Sequence, residues 1–183
     1  MDYYFDIKIV PTTELRENVL LNKVYAQLHK ALGRLTSDAI GVSFPDYNLL
    51  LGKTLRLHGN EAMLNDLQGL NWLGELSTNC KISAIKPVPN NVMYRTVSRK
   101  QSNMTQSKLN RLIKRGSISP DEVKAYKAKM FTKGLDNPYL ELTSDCNGHF
   151  HRRYFQFGDL LEKPVAGQFD LFGLSKQATV PWF

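Results

Sequence analysis

The first 88 residues alternate between two hydrophobic periods, and the order of these periods constrains the fold more than any other feature of the sequence. A period of two places every second side chain on one face, as in a half-buried strand, whereas spacings of three and four residues mark one face of a helix. Six such segments predict, in chain order, a strand, a helix, two strands, a helix and a strand. Their bounds are residues 3–10, 14–32, 39–44, 53–58, 60–70 and 80–86.

The residues between these segments support the same order. Gly33 follows the first predicted helix and suits a left-handed cap there. Asn60 is a favourable N-cap for the second helix. A strand–helix–strand–strand–helix–strand order is that of a ferredoxin-like βαββαβ domain, an α+β fold with its helices on one face of the sheet. This fold supports many unrelated functions, so it assigns none.

The second half of the chain is less regular. It contains a basic helix, a helix with Ser119 as its cap, two strands, and then short strands and turns. The predicted bounds are residues 105–115, 121–130, 139–143, 150–157 and 167–183. We therefore predict an α+β fold with two domains. Residues 1–88 form the ferredoxin-like domain, and residues 89–183 form an irregular domain with a basic helix and short antiparallel strands.

Length and composition exclude several classes of protein. The 183 residues are 42% hydrophobic and 22% charged, which are ordinary values for a globular protein. No apolar run approaches the roughly 20 residues of a membrane span, and the N-terminus has neither the basic nor the apolar region of a signal peptide. Cys80 and Cys146 are the only cysteines and lie far apart in the sequence, which favours reduced thiols over a disulfide framework. We therefore expect a soluble cytoplasmic protein.

The excess positive charge of the chain lies entirely in its second half. Lys and Arg outnumber Asp and Glu by 24 to 17 overall, but residues 1–88 hold nine of each. No acidic residue occurs between Glu75 and Asp121. A segment of one sign favours a polyanionic partner. Nucleic acid is the first candidate, and an anionic membrane surface is the weaker one.

The predicted basic helix carries four cations, Lys108, Arg111, Lys114 and Arg115, on an arc of about 120°. Such a face is often simply solvated, but this one lacks the acidic partners that solvated helices use at i,i+4. We therefore favour contact with nucleic-acid phosphates. A helix cannot enter the narrow major groove of a regular RNA duplex, although it can enter at the end of a short stem-loop, where the groove opens.

Two side chains just before this helix suit the recognition of bases. Arg99 can pair with O6 and N7 of guanine, and Gln101 can pair with N6 and N7 of adenine. Further along, the aromatic segment over residues 150–157 combines core residues with a candidate for stacking on a base pair.

His29 is the candidate for chemistry in the first half. It lies one position beyond the apolar stripe of the first helix and in the last predicted turn, where exposed carbonyl groups favour an imidazolium. A group that titrates near neutral pH suits general acid–base catalysis. The alternative for a lone helical histidine is a surface position without a catalytic role.

The remaining cysteine, histidine and serine residues form no recognisable catalytic or metal motif. Cys146, His149 and His151 lack the spacing of a zinc site. Ser144 stands in no nucleophile-elbow pattern. We therefore expect no metal ion and no cofactor.

Five motifs occur together and in a fixed order: Leu28–Leu32, Ile40–Asp46, Val97–Gln101, Gly173–Lys176 and Val180–Phe183. With them the sequence resembles the CRISPR repeat-processing endoribonucleases of the type I-F system from end to end. The Ile-Gly-Val-Ser-Phe-Pro string and the terminal Pro-Trp-Phe are the most specific parts of this resemblance.

The resemblance implies a ferredoxin-like N-terminal half and a C-terminal half that grips one RNA hairpin. This family cuts the CRISPR precursor RNA at the 3′ base of the repeat stem-loop without a metal ion. The ribose 2′-oxygen attacks its own phosphate, which leaves a 2′,3′-cyclic phosphate and a 5′-hydroxyl. The enzyme then keeps the mature crRNA hairpin and joins the other subunits of the type I-F surveillance complex. We expect the free chain to be a monomer.

The resemblance also implies roles by position. His29 becomes the catalytic acid–base group, and Ser144 becomes the residue that holds the ribose and its 2′-hydroxyl, with Cys146 lining the site. Arg99 and Gln101 become the residues that read the bottom of the stem. The contacts with the RNA groove and phosphates fall to the basic helix, at Lys108, Arg111, Lys114 and Arg115.

Phe150 matches the aromatic residue that stacks under the terminal base pair, with His151 as the alternative in a register one residue away. Two features depart from the family. Phe172 replaces an active-site tyrosine, so we expect this side chain only to pack the pocket. Leu109 and Asn110 interrupt the arginine helix, which leaves it fewer cations for the groove.

Two other functions are compatible with the sequence. A non-catalytic hairpin-binding subunit would make the same RNA contacts without cutting. A general basic RNA-binding protein would bind many structured RNAs and prefer no particular stem-loop.

Overall fold

The structure, a computed structural model, describes residues 1–101, 104–132, 136–143 and 148–183. Antiparallel sheets and helices make up an α+β fold, which confirms the predicted class. The N-terminal elements follow the predicted order of strand, helix, two strands, helix and strand.

Five strands form the N-terminal sheet: β1 (Tyr3–Ile9), β2 (Gly41–Ser43), β3 (Thr54–Gly59), β4 (Cys80–Ile82) and β5 (Lys86–Pro87). The order is β2-β3-β1-β4, every pairing is antiparallel, and β5 also pairs with β1. The single strand predicted over residues 80–86 is therefore wrong, because the ladder breaks between β4 and β5. At the break, the Ser83 hydroxyl accepts the backbone N–H of Asp6 at 2.9 Å.

The strands of this sheet differ in how their faces are covered. β1 alternates as predicted, with every second side chain buried from Phe5 to Ile9. In β3 all six residues are buried, so the prediction of a half-buried strand is wrong there. Aromatic side chains cover its polar face: the Arg56 guanidinium lies 4.6 Å from the ring centre of Tyr4 and 4.0 Å from that of Phe183.

Two helices, α1 (Glu17–Leu35) and α2 (Glu61–Gly69), contribute apolar faces to the core. The Asn60 side chain accepts the N–H of Met63 at 2.8 Å, which confirms the predicted N-cap of α2. The buried residues of α1 are Leu20, Leu21, Val24, Tyr25, Leu28, Ala31 and Leu32.

The predicted end of α1 at Gly33 is wrong. The helix continues to Leu35, and Thr36 takes the left-handed conformation of the cap with φ 48°. Leu35 packs against the core. Burial of an apolar side chain outweighs the cost of about 1 kcal/mol for a glycine inside a helix.

The second half adds five strands: β6 (Met93–Arg95), β7 (Val97–Lys100), β8 (Tyr139–Thr143), β9 (Phe150–Phe157) and β10 (Val180–Trp182). β8 and β9 have the predicted bounds. β7, β9 and β8 form an antiparallel sheet with β9 in the middle, and β6 pairs with β10. The predicted short antiparallel strands are thus confirmed.

Two helices lie between β7 and β8, as predicted: α3 (Gln106–Lys114) and α4 (Pro120–Thr132). The Thr105 hydroxyl accepts the N–H of Lys108 at 3.2 Å and caps α3. A reciprocal capping box begins α4, because the Ser119 hydroxyl accepts the N–H of Glu122 while the Glu122 carboxylate accepts the N–H of Ser119.

Side chains from both halves share one hydrophobic core. At Gly173 the two halves approach closely: φ is 70°, and an added Cβ would lie 2.6 Å from Cγ1 of Val42. Only glycine accepts both conditions without strain. The division into domains at residues 88 and 89 stays a prediction.

Candidate active site

His29 lies on α1 and is half-buried. Because α1 continues to Leu35, the prediction that His29 stands in the last turn is wrong, and the free carbonyl groups of the helix end cannot explain its chemistry. Its contacts come instead from the turn that leads to the C-terminal Gly-Leu-Ser-Lys motif.

A single hydrogen bond fixes the tautomer of His29. Its Nδ1 atom lies 2.8 Å from the backbone oxygen of Leu171. A carbonyl oxygen can only accept, so Nδ1 carries the proton in the neutral ring, and the lone pair of Nε2 is available to another group. This arrangement suits a base that receives a proton at Nε2.

The turn that presents Leu171 is held by a carboxylate. One oxygen of Asp170 accepts the backbone N–H groups of Phe172 at 2.9 Å and Leu174 at 3.0 Å. The backbone N–H of Val42 donates to the oxygen of Gly173 at 3.0 Å, which joins the turn to the N-terminal sheet. These bonds fix the partner of His29 relative to α1.

Phe172 stacks directly on His29. The ring centres are 3.6 Å apart and the planes differ by 12°. On the same residue, Cζ of Arg153 lies 3.4 Å from the centre of the phenyl ring. Two groups cannot both come this close on one side without overlapping, so His29 and Arg153 lie on opposite faces of Phe172. We call these three residues the His29 stack.

Tyr25 supports the His29 stack from inside the core. It precedes His29 by one turn of α1, and its hydroxyl donates to the backbone oxygen of Phe172 at 2.8 Å. Burial raises the pKa of this hydroxyl well above its ordinary value, so the hydroxyl stays protonated and keeps donating.

Arg153 is the member of the stack that sequence reasoning missed. It is only 5% exposed, and its Nε atom has no hydrogen-bond partner among the described residues. Burial lowers the pKa of its guanidinium, and the nearby charge of Arg99 lowers it further. The period-two pattern of the strand was the available signal, because it places Arg153 on the same face as the buried Phe155.

The register of β7 on β9 places a predicted base-reading residue on this face. Arg99 lies directly opposite Phe155, and residues opposite each other share a face of the sheet. Phe155 contacts Tyr25 of α1, with ring centres 5.6 Å apart. The exposed Arg99 therefore stands at the edge of the face that carries Arg153, and the exposed Gln101 follows β7.

The alternation of β9 separates the two candidates for base stacking. His151 is half-buried and shares the face of Arg153, whereas Phe150 is 82% exposed at the start of the strand. Ser144 and Cys146, predicted to hold the ribose and to line the site, lie outside the described residues.

The basic helix has a buried apolar side and an exposed charged side. Its apolar side holds Leu109, which is fully buried, and the backbone N–H of Thr105 donates to the Tyr126 hydroxyl of α4 at 3.2 Å. Ile113, predicted on the apolar arc, is about half exposed. All four predicted cations are exposed: Lys108, Arg111, Lys114 and Arg115.

Within the described ranges, no three His, Cys, Asp or Glu side chains converge as a metal site would require. None of the helices described there has the length and apolarity to cross a bilayer.

Comparisons with known proteins agree with this arrangement of motifs. Residues 4–183 match the family model described as CRISPR-associated protein (Cas_Csy4). The chain is 36% identical over 184 residues to the CRISPR-associated endonuclease Cas6/Csy4 of Escherichia coli (strain UTI89 / UPEC), with 100% of both chains covered. It is 34% identical over 187 residues to the protein of the same name from Pseudomonas aeruginosa (strain UCBPP-PA14), again with 100% of both chains covered.

These matches confirm the resemblance to the type I-F repeat-processing endoribonucleases that the five motifs indicate. The chain therefore belongs to the Cas_Csy4 family of CRISPR-associated proteins.

Proposed function

We propose that this protein is a metal-independent endoribonuclease that cuts CRISPR precursor RNA at the 3′ base of the repeat stem-loop. The full-length relatives named as endonucleases support this function. The observation that carries it is the hydrogen bond between Nδ1 of His29 and Leu171, because that bond leaves Nε2 ready to accept a proton.

In the proposed reaction the ribose 2′-oxygen is the nucleophile. The 2′-hydroxyl proton passes to Nε2 of His29 while a bond forms between the 2′-oxygen and phosphorus. The bond between phosphorus and the 5′-oxygen breaks, the leaving oxygen takes a proton from water, and His29 returns to solvent the proton that it received. The products are a 2′,3′-cyclic phosphate and a 5′-hydroxyl. Proton transfer by one positioned histidine contributes about 10²–10⁴-fold, and alignment of the 2′-oxygen supplies much of the rest.

The other predicted residues bind and orient the hairpin in this proposal. Ser144 holds the ribose, Cys146 lines the site, and Arg99 and Gln101 read the bottom of the stem. The four cations of α3 contact the phosphates of the stem groove. Two residues are candidates for stacking under the terminal base pair. Phe150 has the more exposed ring, whereas His151 lies on the same face of β9 as Arg153 of the His29 stack.

The proposal extends to the organisation of the chain. The sheet order β2-β3-β1-β4 supports a ferredoxin-like domain over residues 1–88, and residues 89–183 form the hairpin-binding domain. We infer that the enzyme acts in the cytoplasm, is a monomer when free, and stays on the mature crRNA hairpin with the other subunits of the surveillance complex.

An end-labelled repeat stem-loop incubated with the protein in excess EDTA tests this function. We expect one cut at the 3′ base of the stem, no cut by His29→Ala, and unchanged hairpin binding by that variant. Gln27→Ala, a change elsewhere on α1, should cut normally. A 2′-deoxy substitution at the cut should block cleavage and preserve binding, since it removes the nucleophile. Cleavage of the deoxy substrate would exclude the mechanism.

A non-catalytic hairpin-binding subunit is the second candidate. Phe172 favours it, because phenylalanine brings no hydroxyl to the site where the family resemblance implies a tyrosine. Tight binding of the hairpin without any cut would establish this reading. Equal binding to unrelated structured RNAs would instead indicate a general RNA-binding protein.

A further inference from the structure

Arg153 carries a charge that has no carboxylate partner among the residues that the structure describes. It forms no salt bridge with a described residue, and its Nε atom is buried without a hydrogen bond there. The Asp170 carboxylate, whose field reaches Arg153, has one oxygen committed to the backbone of its own turn. Burying an unpaired cation is unfavourable, so the position requires an explanation.

Packing against Phe172 does not require a cation. A leucine or methionine would cover the same face of the ring without the cost of desolvating a charge. A cation–π contact recovers roughly 2 kcal/mol at most in such a site, less than the penalty for a buried unpaired ion. The charge is therefore best explained by an anion that joins the site later.

The geometry identifies which anion this is. Arg153 and His29 flank the same ring, and their distances from its centre place the guanidinium carbon about 7 Å from the imidazole centre. In the proposed function, His29 takes the proton of a ribose 2′-hydroxyl, and the neighbouring anion is the RNA phosphodiester that this oxygen attacks. Arg99 on the same sheet face adds to the positive potential.

We propose that Arg153 is an electrostatic residue of the cleavage site, whose charge stabilises the RNA phosphate that is cut. The inference rests on the proposed function and deepens it. The effect acts through space, because unit charges separated by several ångströms still interact substantially at the effective dielectric constant of a protein site. Charge accumulates on the phosphate as the 2′-oxygen attacks, so the rate should respond more strongly than the affinity.

Two uncharged variants, Arg153→Met and Arg153→Gln, test the role of the charge. We expect single-turnover cleavage at saturating protein to slow by about 10- to 100-fold. Arg153→Lys should recover part of the rate, because it restores the charge without the planar guanidinium. The matched control is Arg152→Met, since Arg152 is the exposed neighbour on the other face of β9 and bonds Glu141.

A second measurement separates charge from structure. Hairpins with a 2′-deoxy cut site carry either the natural phosphate or a neutral methylphosphonate at the cut, and binding is measured for each protein. Neutralising this phosphate should weaken wild-type and Arg152→Met binding several-fold and should leave the uncharged Arg153 variants nearly unaffected. A methylphosphonate in the hairpin loop should affect all proteins equally.

Equal losses for all proteins at the cut phosphate would overturn the proposal, as would wild-type cleavage rates in a folded uncharged variant. If both uncharged variants failed to fold, Arg153→Lys would decide the matter, because it should keep the wild-type sensitivity to methylphosphonate. A wild-type protein that did not bind the hairpin would instead overturn the proposed function, and this inference with it.

Discussion

Phe172 packs its ring against His29, the histidine proposed to be catalytic. Its face lies 3.6 Å from the imidazole of His29 at nearly parallel planes, and its backbone oxygen accepts the hydroxyl of Tyr25. Such aromatic pairs contribute about 0.5–1.5 kcal/mol beyond the area they bury. We therefore expect the packing of Phe172 to have a specific effect, which is to orient the plane of the His29 imidazole.

Phe172→Ala should slow cleavage by roughly 10- to 100-fold at saturating protein, with hairpin affinity changed much less. Removing the ring leaves His29 and Arg153 without the plane that separates them, and a catalytic group misplaced by about 1 Å can cost 10²-fold. Single-turnover rates and hairpin binding measure the two effects. Phe172→Tyr is the control and should cut at least as well as the wild type. Normal cutting by Phe172→Ala would show that the ring has no positioning role.

At the scale of elements, α3 exposes a cationic face and has a buried leucine on its opposite side. Leu109 is fully buried, and Thr105 contacts Tyr126 of α4, so the helix can present its four cations from a fixed position. The interruption by Leu109 is therefore structural: this side chain anchors the helix and points away from the charged face.

Replacing Arg111 and Arg115 by glutamine should weaken hairpin binding mainly at low salt. Each phosphate contact adds about one unit to the slope of log Kd against log salt concentration, so the slope should fall by roughly 2. Lys8→Gln with Lys81→Gln is the matched control, because it removes the same charge from neighbouring strands of the N-terminal sheet. An equal change of slope in both double variants would contradict a specific role for α3.

The elements also show which predictions a sequence supports. Periodicity located β8 and β9 to the residue, because alternation and turn residues are local properties. The end of α1 was misplaced because the packing of the partly buried Leu35 against the core is a tertiary effect. Arg153 was missed for a related reason. Arginine is rarely buried, so the alternation of β9 did not outweigh that expectation, and the contact with Phe172, 19 positions further along the chain, is a tertiary one.

At the scale of the whole molecule, the C-terminus closes over the N-terminal sheet. The Arg56 guanidinium bonds the Asp6 carboxylate at 2.7 and 3.0 Å and the backbone oxygen of Phe183 at 2.8 Å. Beside it, Nε2 of His58 lies 2.8 Å from the Ser43 hydroxyl. The polar side of β3 is thereby sealed, so His58 serves the fold and has no access to substrate.

This burial makes His58 a source of acid sensitivity. Burial, the adjacent Arg56 charge and the N-terminal amine lower the pKa of His58 to about 3. In the unfolded chain a histidine titrates near 6.5. Between these values the unfolded state binds the additional proton, so the free energy of unfolding falls as the pH falls below about 6.5, and it continues to fall until the pH reaches about 3.

His58→Gln should remove the contribution of His58 to the pH dependence of the unfolding free energy. The glutamine should still offer Ser43 a hydrogen-bonding partner. Between pH 7.5 and 5 the wild type should lose about 2 kcal/mol more of its unfolding free energy than the variant does. Urea unfolding of both proteins at the two pH values measures the difference. The other ionisable groups of the chain are the same in both proteins, so the comparison isolates His58. If the two proteins lost the same free energy, the neutral buried histidine would not be what links the stability of this fold to pH.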